Sequence, residues 1–148
     1  LNLSSVFYSN RAVVQQFLRQ ESGGSILNMG SVLGFSPSPK YFATHAYATS
    51  KAALVGMTAS MEAYYAPHQI RFKLIAPALT ETPMAQRAAE NTEIMTFIQQ
   101  KQPLDGGRIG KPADLDAAAV IYISDQSRFV TGEAFAVDGG ITQQIGVS

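Results

Sequence analysis

The sequence contains no cysteine and no tryptophan among its 148 residues. Without cysteine the chain has no disulfide framework, no thiolate metal site and no cysteine nucleophile. Charged residues are also scarce, at 15%, against roughly a quarter in an average soluble protein. Eleven basic residues balance eleven acidic ones, so the formal net charge is zero. Neither nucleic acid nor an anionic membrane is therefore expected as the main partner.

Long apolar runs are missing as well. No stretch approaches the roughly 18 residues that a transmembrane helix needs, and no charged leader precedes an apolar segment as it does in a signal peptide. Apolar residues still make up 46% of the sequence, which is enough for a globular core. We therefore expect a cytoplasmic globular protein, although the sequence begins at Leu1 and opens directly into a helix-like segment.

Helix-like and strand-like segments alternate along the sequence. Apolar residues recur at helical spacing, or helix-forming residues dominate, over 2–20, 45–66, 83–101 and 112–124, and short apolar runs of strand length occupy 25–29, 70–76 and 133–137. Strands separated by helices predict βα units, an α/β fold class and a parallel sheet. Three strands are too few for a parallel sheet covered on both faces. We therefore expect the chain to be one end of a larger α/β domain.

The spacing of Tyr47 and Lys51 is the sharpest chemical feature of the sequence. Residues four apart lie on one face of a helix, and an ammonium beside a phenol favours the phenolate form. Such a pair can move a proton on or off a carbonyl or hydroxyl oxygen. The spacing alone is also compatible with an exposed helix pair that has no function. His45, just before Tyr47, is either an additional acid–base group or a histidine that packs in its loop.

Polar residues follow two of the predicted strands where each strand ends. Ser31 comes after the first strand, and Thr80 and Thr82 come after the second. Ligands of open parallel sheets bind outside the carboxyl ends of the strands. Ser31 can therefore donate a hydrogen bond to a substrate oxygen, or it can cap the following turn. Its neighbours lack the Gly-x-Ser-x-Gly spacing of a hydrolase nucleophile.

Five elements in order resemble the short-chain dehydrogenase/reductase family: Asn2-Leu3, Ser31, Tyr47-x-x-x-Lys51, Ile75-Ala76-Pro77 and Val137-Asp138-Gly139-Gly140. The resemblance implies a Rossmann-type doubly wound parallel sheet, of which residues 1–148 would form the C-terminal catalytic portion. The glycine-rich nucleotide-binding half, about three βα units or on the order of 90 residues, is absent from the sequence. The first strand would then have an unpaired edge, and we expect the 148 residues alone to fold poorly.

The resemblance also implies roles for individual residues. Tyr47 would be the catalytic acid–base group, and Lys51 would stabilise its phenolate and hold the nicotinamide ribose. Ser31 would orient the substrate oxygen, and Asn2 would support a water in a proton relay. The implied cofactor-binding residues are Tyr47, Lys51, Pro77, Ala78, Thr80 and Thr82. The implied reaction is hydride transfer between NAD or NADP and a small-molecule carbonyl or alcohol, without a metal.

The sequence departs from the family at two positions and leaves other functions open. Ala78 stands where the family usually has glycine, close to the cofactor, and Lys73 stands where it often has asparagine. A nucleotide-sugar epimerase or dehydratase would share the Tyr-x-x-x-Lys pair. A truncated or non-catalytic Rossmann-like binding or assembly module would explain the missing nucleotide loop.

The resemblance further implies a homodimer or homotetramer. Helices 2–20 and 47–66 would pair with their copies in a neighbouring subunit. The small side chains of Ala48, Ala52 and Ala59 would permit close packing there, unless they pack against the sheet of their own subunit.

Overall fold

The structure, a computed structural model, describes residues 2–143. Its helices and strands are α1 (Ser4–Gln20), β1 (Gly24–Met29), α2 (His45–Tyr65), β2 (Ile70–Pro77), α3 (Gln86–Ala89), α4 (Thr92–Lys101), α5 (Asp116–Ile123) and β3 (Ala134–Val137). Within residues 2–143, none of the helices combines the length and the apolar character that crossing a membrane requires.

The three strands form one parallel sheet in the order β1-β2-β3. Gly24 lies opposite Ile70 at the start of the first pairing, and Leu74 lies opposite Ala134 at the start of the second. Because all three strands run in the same direction, their carboxyl ends meet at one edge of the sheet. Among the described residues β1 pairs only with β2, so its other side is open, as the sequence predicts. The α/β fold class is confirmed.

Helices cover both faces of the sheet around the buried strand β2. On one face, Val14 of α1 and Phe72 of β2 belong to one apolar cluster, and Leu54 of α2 and Leu74 of β2 belong to a second. On the opposite face α5 contacts both β1 and β2. Phe72, Leu54 and Leu74 are completely buried, and the burial of each such residue stabilises the fold by about 1.5–3 kcal/mol. The helices thereby hold the carboxyl edge of the sheet in place.

The single helix predicted over 83–101 is wrong. A 3-10 turn over Pro83–Ala85 leads into the short α3, and α4 begins only at Thr92. Asn91 has extended backbone angles (φ −97°, ψ 113°), and its side chain accepts a hydrogen bond from the Ile94 N–H at 3.0 Å. Asn91 therefore caps α4 and separates it from α3. The Ala-, Glu- and Gln-rich composition of the segment favours helix throughout, so it gives no sign of the boundary between α3 and α4.

Lys73 lies inside the molecule on the α5 face of β2. Its side chain is completely buried, and its Nζ donates to the Tyr122 carbonyl at 2.5 Å and to the Ser127 Oγ at 2.7 Å. Burial, and then the neighbouring charge of Arg71, lower the pKa of Lys73 to about 8, whereas the Glu62 carboxylate acts in the opposite direction. Lys73 is therefore a buried cation that joins β2 to the end of α5.

We predict that Lys73 makes stability rise with pH above pH 8. Between its lowered pKa of about 8 and the ordinary value of 10.5, the unfolded protein binds more protons at Lys73 than the folded protein does. The free energy of unfolding therefore increases with pH across this window. Urea unfolding should show a weaker rise in Lys73→Met, whereas the exposed Lys40→Met should behave as the parent. Because Arg71, Glu62 and Tyr122 remain in both variants, an unchanged rise in Lys73→Met would contradict the prediction.

Candidate active site

The carboxyl end of β1 leads into a tight turn that contains Ser31. The Ser31 backbone is extended (φ −163°, ψ 148°), and its Oγ accepts a hydrogen bond from the Leu33 N–H at 3.2 Å. The side chain thus caps the 3-10 turn Val32–Gly34, which is one of the two roles considered from the sequence. The cap uses only a lone pair of the hydroxyl, so it leaves the hydroxyl proton to donate to a substrate oxygen.

Tyr47 and Lys51 lie in the first turns of α2, and both are half-buried. The Lys51 Nζ lies 5.5 Å from the centroid of the Tyr47 ring and donates a hydrogen bond to the Met29 carbonyl at 2.9 Å. Burial lowers the pKa of the Lys51 ammonium. Met29 is the last residue of β1, two residues before Ser31. The lysine therefore joins the helix of Tyr47 to the strand end of Ser31.

Gly34 allows the Ser31 turn to lie directly against α2. A Cβ atom at Gly34 would lie 2.8 Å from the carbonyl carbon of Lys51 and 2.9 Å from the amide nitrogen of Ala52. Both atoms belong to helix backbone and cannot move aside cheaply. Only glycine therefore permits this approach, which sets the distance between the serine turn and the helix of Tyr47.

Asn2 precedes α1 in the sequence. Its side chain lines a cleft of about 530 Å³ between α1 and β1, whose walls also include Met29 and Lys51. Asn2 is itself exposed. Asn2 and Lys51 therefore border the same cleft.

The segment that leaves β2 continues the sheet beyond Pro77. The Ala78 N–H donates to the Val137 carbonyl at 3.3 Å. Ala78 packs against the apolar cluster that contains Leu54 and Leu74. The core therefore accommodates the extra methyl group that distinguishes Ala78 from glycine.

The segment after β2 pairs with Gly110 on one side, and the backbone of Thr80 faces its other side. The Gly110 N–H donates to the Leu79 carbonyl at 2.9 Å, and the Glu81 N–H donates to the Gly110 carbonyl at 2.8 Å. In this parallel bridge Thr80 lies between Leu79 and Glu81, so its own N–H and C=O point away from Gly110. Thr80 thus offers a donor and an acceptor side by side, the pattern that a primary carboxamide complements. The Thr80 hydroxyl donates to the Ala78 carbonyl at 3.2 Å.

Thr82 has a local structural partner. Its hydroxyl oxygen accepts a hydrogen bond from the Ala85 N–H at 3.3 Å and caps the 3-10 turn Pro83–Ala85. Thr82 is exposed. The structure therefore places Thr82 at the same edge of the sheet as Thr80, with its hydroxyl also serving the turn.

The loop before α2 contacts the segment that follows β2. The ring centroids of Tyr41 and Phe97 lie 5.1 Å apart, and the Lys40 Nζ lies 5.1 Å from the Tyr41 centroid. The loop thus packs on α4 of the same molecule. His45 is the first residue of α2 and is exposed.

The motifs assembled at this edge of the sheet all lie within one family match. A sequence profile described as enoyl-(acyl carrier protein) reductase matches residues 1–142. The chain belongs to the short-chain dehydrogenase/reductase family. Its Rossmann-type fold is confirmed by solved relatives.

Three relatives illustrate what this chain is similar to. A 2-dehydro-3-deoxy-D-gluconate 5-dehydrogenase from Dickeya dadantii is 35% identical over 140 residues, which cover 95% of this sequence and 53% of the relative. A gluconate 5-dehydrogenase from Burkholderia cenocepacia in complex with NADP and tartrate has a TM-score of 0.90 and 30% identity, covering 98% and 55%. A 4-hydroxyisoleucine dehydrogenase mutant complexed with NADH and succinate has a TM-score of 0.88 and 32% identity, covering 96% and 56%. The sequence thus spans about half the length of the relatives it matches.

Sequence reasoning missed two contributors to the candidate site. Gly34 had only a general signal, because glycine in a loop marks either a turn or a close approach of the backbone. The Met29 carbonyl, which holds Lys51, had none, because every residue carries a carbonyl. Only the packing of α2 on the end of β1 selects that oxygen as the acceptor.

We predict that Gly34→Ala destabilises the protein by about 1–3 kcal/mol, since the added methyl group has no room beside the helix backbone. The matched control is Ser36→Ala in the same loop, where the Ser36 N–H keeps its hydrogen bond to the Val32 carbonyl. Thermal or urea unfolding measures both variants. Equal stability of the two variants would show that the turn does not need glycine.

Proposed function

We propose that the protein is an oxidoreductase that transfers a hydride between NAD or NADP and a carbonyl or alcohol carbon, with Tyr47 as the acid–base group. The observation that carries the proposal is the Lys51 hydrogen bond to the Met29 carbonyl at 2.9 Å. This bond holds the ammonium beside the Tyr47 ring and next to the strand end that bears Ser31. A proton donor or acceptor and a substrate-orienting hydroxyl thereby share one edge of the sheet.

The residues at the carboxyl edge suit a nicotinamide cofactor. The backbone N–H and C=O of Thr80 can pair with the carboxamide, and Lys51 can hold the ribose hydroxyls. The methyl group of Ala78 is taken up by the core, so it leaves this approach open. When bound, the nicotinamide ring supplies or accepts the hydride. Relatives bound to NADH and to NADP support the cofactor class.

Each side chain of the site has one chemical task in this proposal. Tyr47 gives its phenolic proton to a carbonyl oxygen, or removes the proton from an alcohol. Ser31 donates a hydrogen bond that orients the same oxygen. Lys51 stabilises the phenolate by its charge. Asn2 holds a water that carries the proton from Lys51 towards solvent.

We further propose that these residues form the catalytic portion of one Rossmann-type domain. The nucleotide-binding half would add its strand to the open side of β1. The cleft between α1 and β1 runs along that open side, and it is lined by residues 25–29. An unpaired strand edge offers free N–H and C=O groups to a further strand.

We predict that Tyr47→Phe lowers the rate of carbonyl reduction by about 10²–10⁴-fold, because general acid–base catalysis is worth that much. The assay follows NAD(P)H absorbance in protein that includes its nucleotide-binding half. Cofactor affinity should change little, because phenylalanine retains the aromatic ring of Tyr47 and lacks only its hydroxyl.

The matched control is Tyr64→Phe, also in α2, whose side chain is 71% exposed and lies away from the edge. Loss of activity in both variants, or in neither, would contradict the role of Tyr47. A parent protein that binds cofactor but transfers no hydride to any carbonyl would favour a binding module.

We also propose that the protein forms a homodimer or homotetramer through α1 and α2. Ala52 and Ala59 are exposed, so these two alanines do not pack against their own sheet, whereas Ala48 is half-buried. Phe7 and Tyr8 of α1 are 44% and 62% exposed. Small residues on one helix and large apolar ones on its neighbour suit close packing against a second copy.

We predict that Ala59→Arg shifts the protein to a smaller assembly, because a guanidinium at a close helix contact is both bulky and charged. Sedimentation velocity measures the change in mass. The control is Ala89→Arg, at an exposed position of α3, which should leave the assembly intact. A parent protein that sediments as a monomer would refute the proposed assembly.

A further inference from the structure

Gln102 occupies a buried position where three parts of the site meet. Its side chain is only 3% exposed. Its Nε2 donates to the Leu79 carbonyl at 3.3 Å and to the Arg108 carbonyl at 3.2 Å. One amide group thus uses both of its protons on backbone oxygens. These oxygens belong to the two segments that form the Thr80–Gly110 bridge.

The orientation of this amide follows from its neighbours. Turning the amide over would place its Oε1 against two carbonyl oxygens, which repel it and can donate nothing. In the observed orientation, no donor among residues 2–143 reaches Oε1. The buried acceptor is therefore left unsatisfied, a cost that the two donated hydrogen bonds offset. The function of Gln102 consequently lies in its two side-chain N–H groups.

The surrounding backbone is shaped to enclose Gln102. A Cβ atom at Gly139 would lie 2.4 Å from the Gln102 Cγ, so the Asp138-Gly139-Gly140 turn packs directly on this side chain. The Leu104 N–H donates to the Gly139 carbonyl at 3.1 Å, and the Gln102 N–H closes the end of α4 on the Ile98 carbonyl at 2.7 Å. Gln102 thereby joins α4, the turn after β3 and the segment after β2.

The Leu79 carbonyl is the atom through which Gln102 reaches the cofactor segment. It accepts hydrogen bonds from both the Gly110 N–H and Gln102 Nε2. A carbonyl held from two sides fixes the peptide plane between Leu79 and Thr80. That plane contains the Thr80 N–H, one of the two backbone groups of Thr80 that point away from Gly110.

We propose that Gln102 is a positioning residue that holds the Thr80 backbone in the orientation that pairs with the nicotinamide carboxamide. This inference rests on the proposed function. It assigns Gln102 an effect on the nicotinamide end of the cofactor, separate from the adenosine end.

The test compares two ligands in Gln102→Met, which keeps the length of the side chain and removes both donors. Fluorescence titration of the protein with its nucleotide-binding half should give an NAD(P)H dissociation constant about tenfold weaker, since two hydrogen bonds are lost. Binding of ADP-ribose or 2′-phospho-ADP-ribose, which lack nicotinamide, should remain within about twofold, since those contacts are elsewhere. Gln100→Met, an exposed position on the same helix, should change neither ligand.

A second variant gives a readout of its own. In Gln102→Glu an ionised carboxylate faces two carbonyl oxygens, whereas the protonated acid can donate one hydrogen bond. NAD(P)H affinity in this variant should therefore improve as the pH falls, relative to the parent. Amide hydrogen exchange at Glu81 and Gly110 should accelerate in Gln102→Met even without ligand. The Thr80–Gly110 bridge then keeps its two backbone hydrogen bonds but loses those from the Gln102 side chain.

The outcomes of these measurements distinguish a positioning role from the alternatives. Selective weakening of NAD(P)H, with faster exchange at Glu81 and Gly110, supports the inference. Equal weakening of NAD(P)H and ADP-ribose reveals a general structural role and overturns it, as does unchanged NAD(P)H affinity. If the parent itself binds no nicotinamide cofactor, the proposed function fails. In that case unchanged exchange in Gln102→Met would still overturn the positioning role.

Discussion

The parallel pairing of β2 with strands on both sides is the constraint on which the rest of the structure depends. β2 has five consecutive completely buried residues, Phe72 to Ala76, because helices cover both of its faces. Parallel strands must end at the same edge, so Ser31, Ala78 and Asp138 emerge together. The site is therefore a consequence of the direction in which the core strands run, and the loops refine its geometry.

The helix that bears Tyr47 needs a second anchor, because a face packed on a sheet can still slide along it. Two contacts prevent that movement. Gly34 lets the serine turn rest on the α2 backbone, and Lys51 donates to the last carbonyl of β1. The lysine thus has a positional role as well as an electrostatic one. Tyr47 and Lys51 form part of a site because the end of β1 binds Lys51 through the Met29 carbonyl.

The two departures from the family are accommodated in different ways. The methyl group of Ala78 enters an apolar cluster, where it adds buried surface. Lys73 places an ammonium inside the protein, and backbone and hydroxyl oxygens surround it. Such hydrogen bonds offset part of the desolvation cost of a buried charge, and the remainder is expressed as the lowered pKa. Ala78 is accommodated by apolar packing, and Lys73 by polar contacts with the end of α5.

Periodicity and composition determined the α/β class, the three strands and the long helices, because buried faces impose a repeat that survives in the sequence. They also exposed the Tyr47–Lys51 pair and the polar residues at the strand ends. They failed at Asn91, where a single side-chain hydrogen bond starts α4 as a separate helix. They could not find the Met29 carbonyl, the contact of Gln102 with Leu79 and Arg108, or the approach of Gly139. Those interactions join distant segments through backbone atoms that all residues share, so only tertiary packing decides which of them meet.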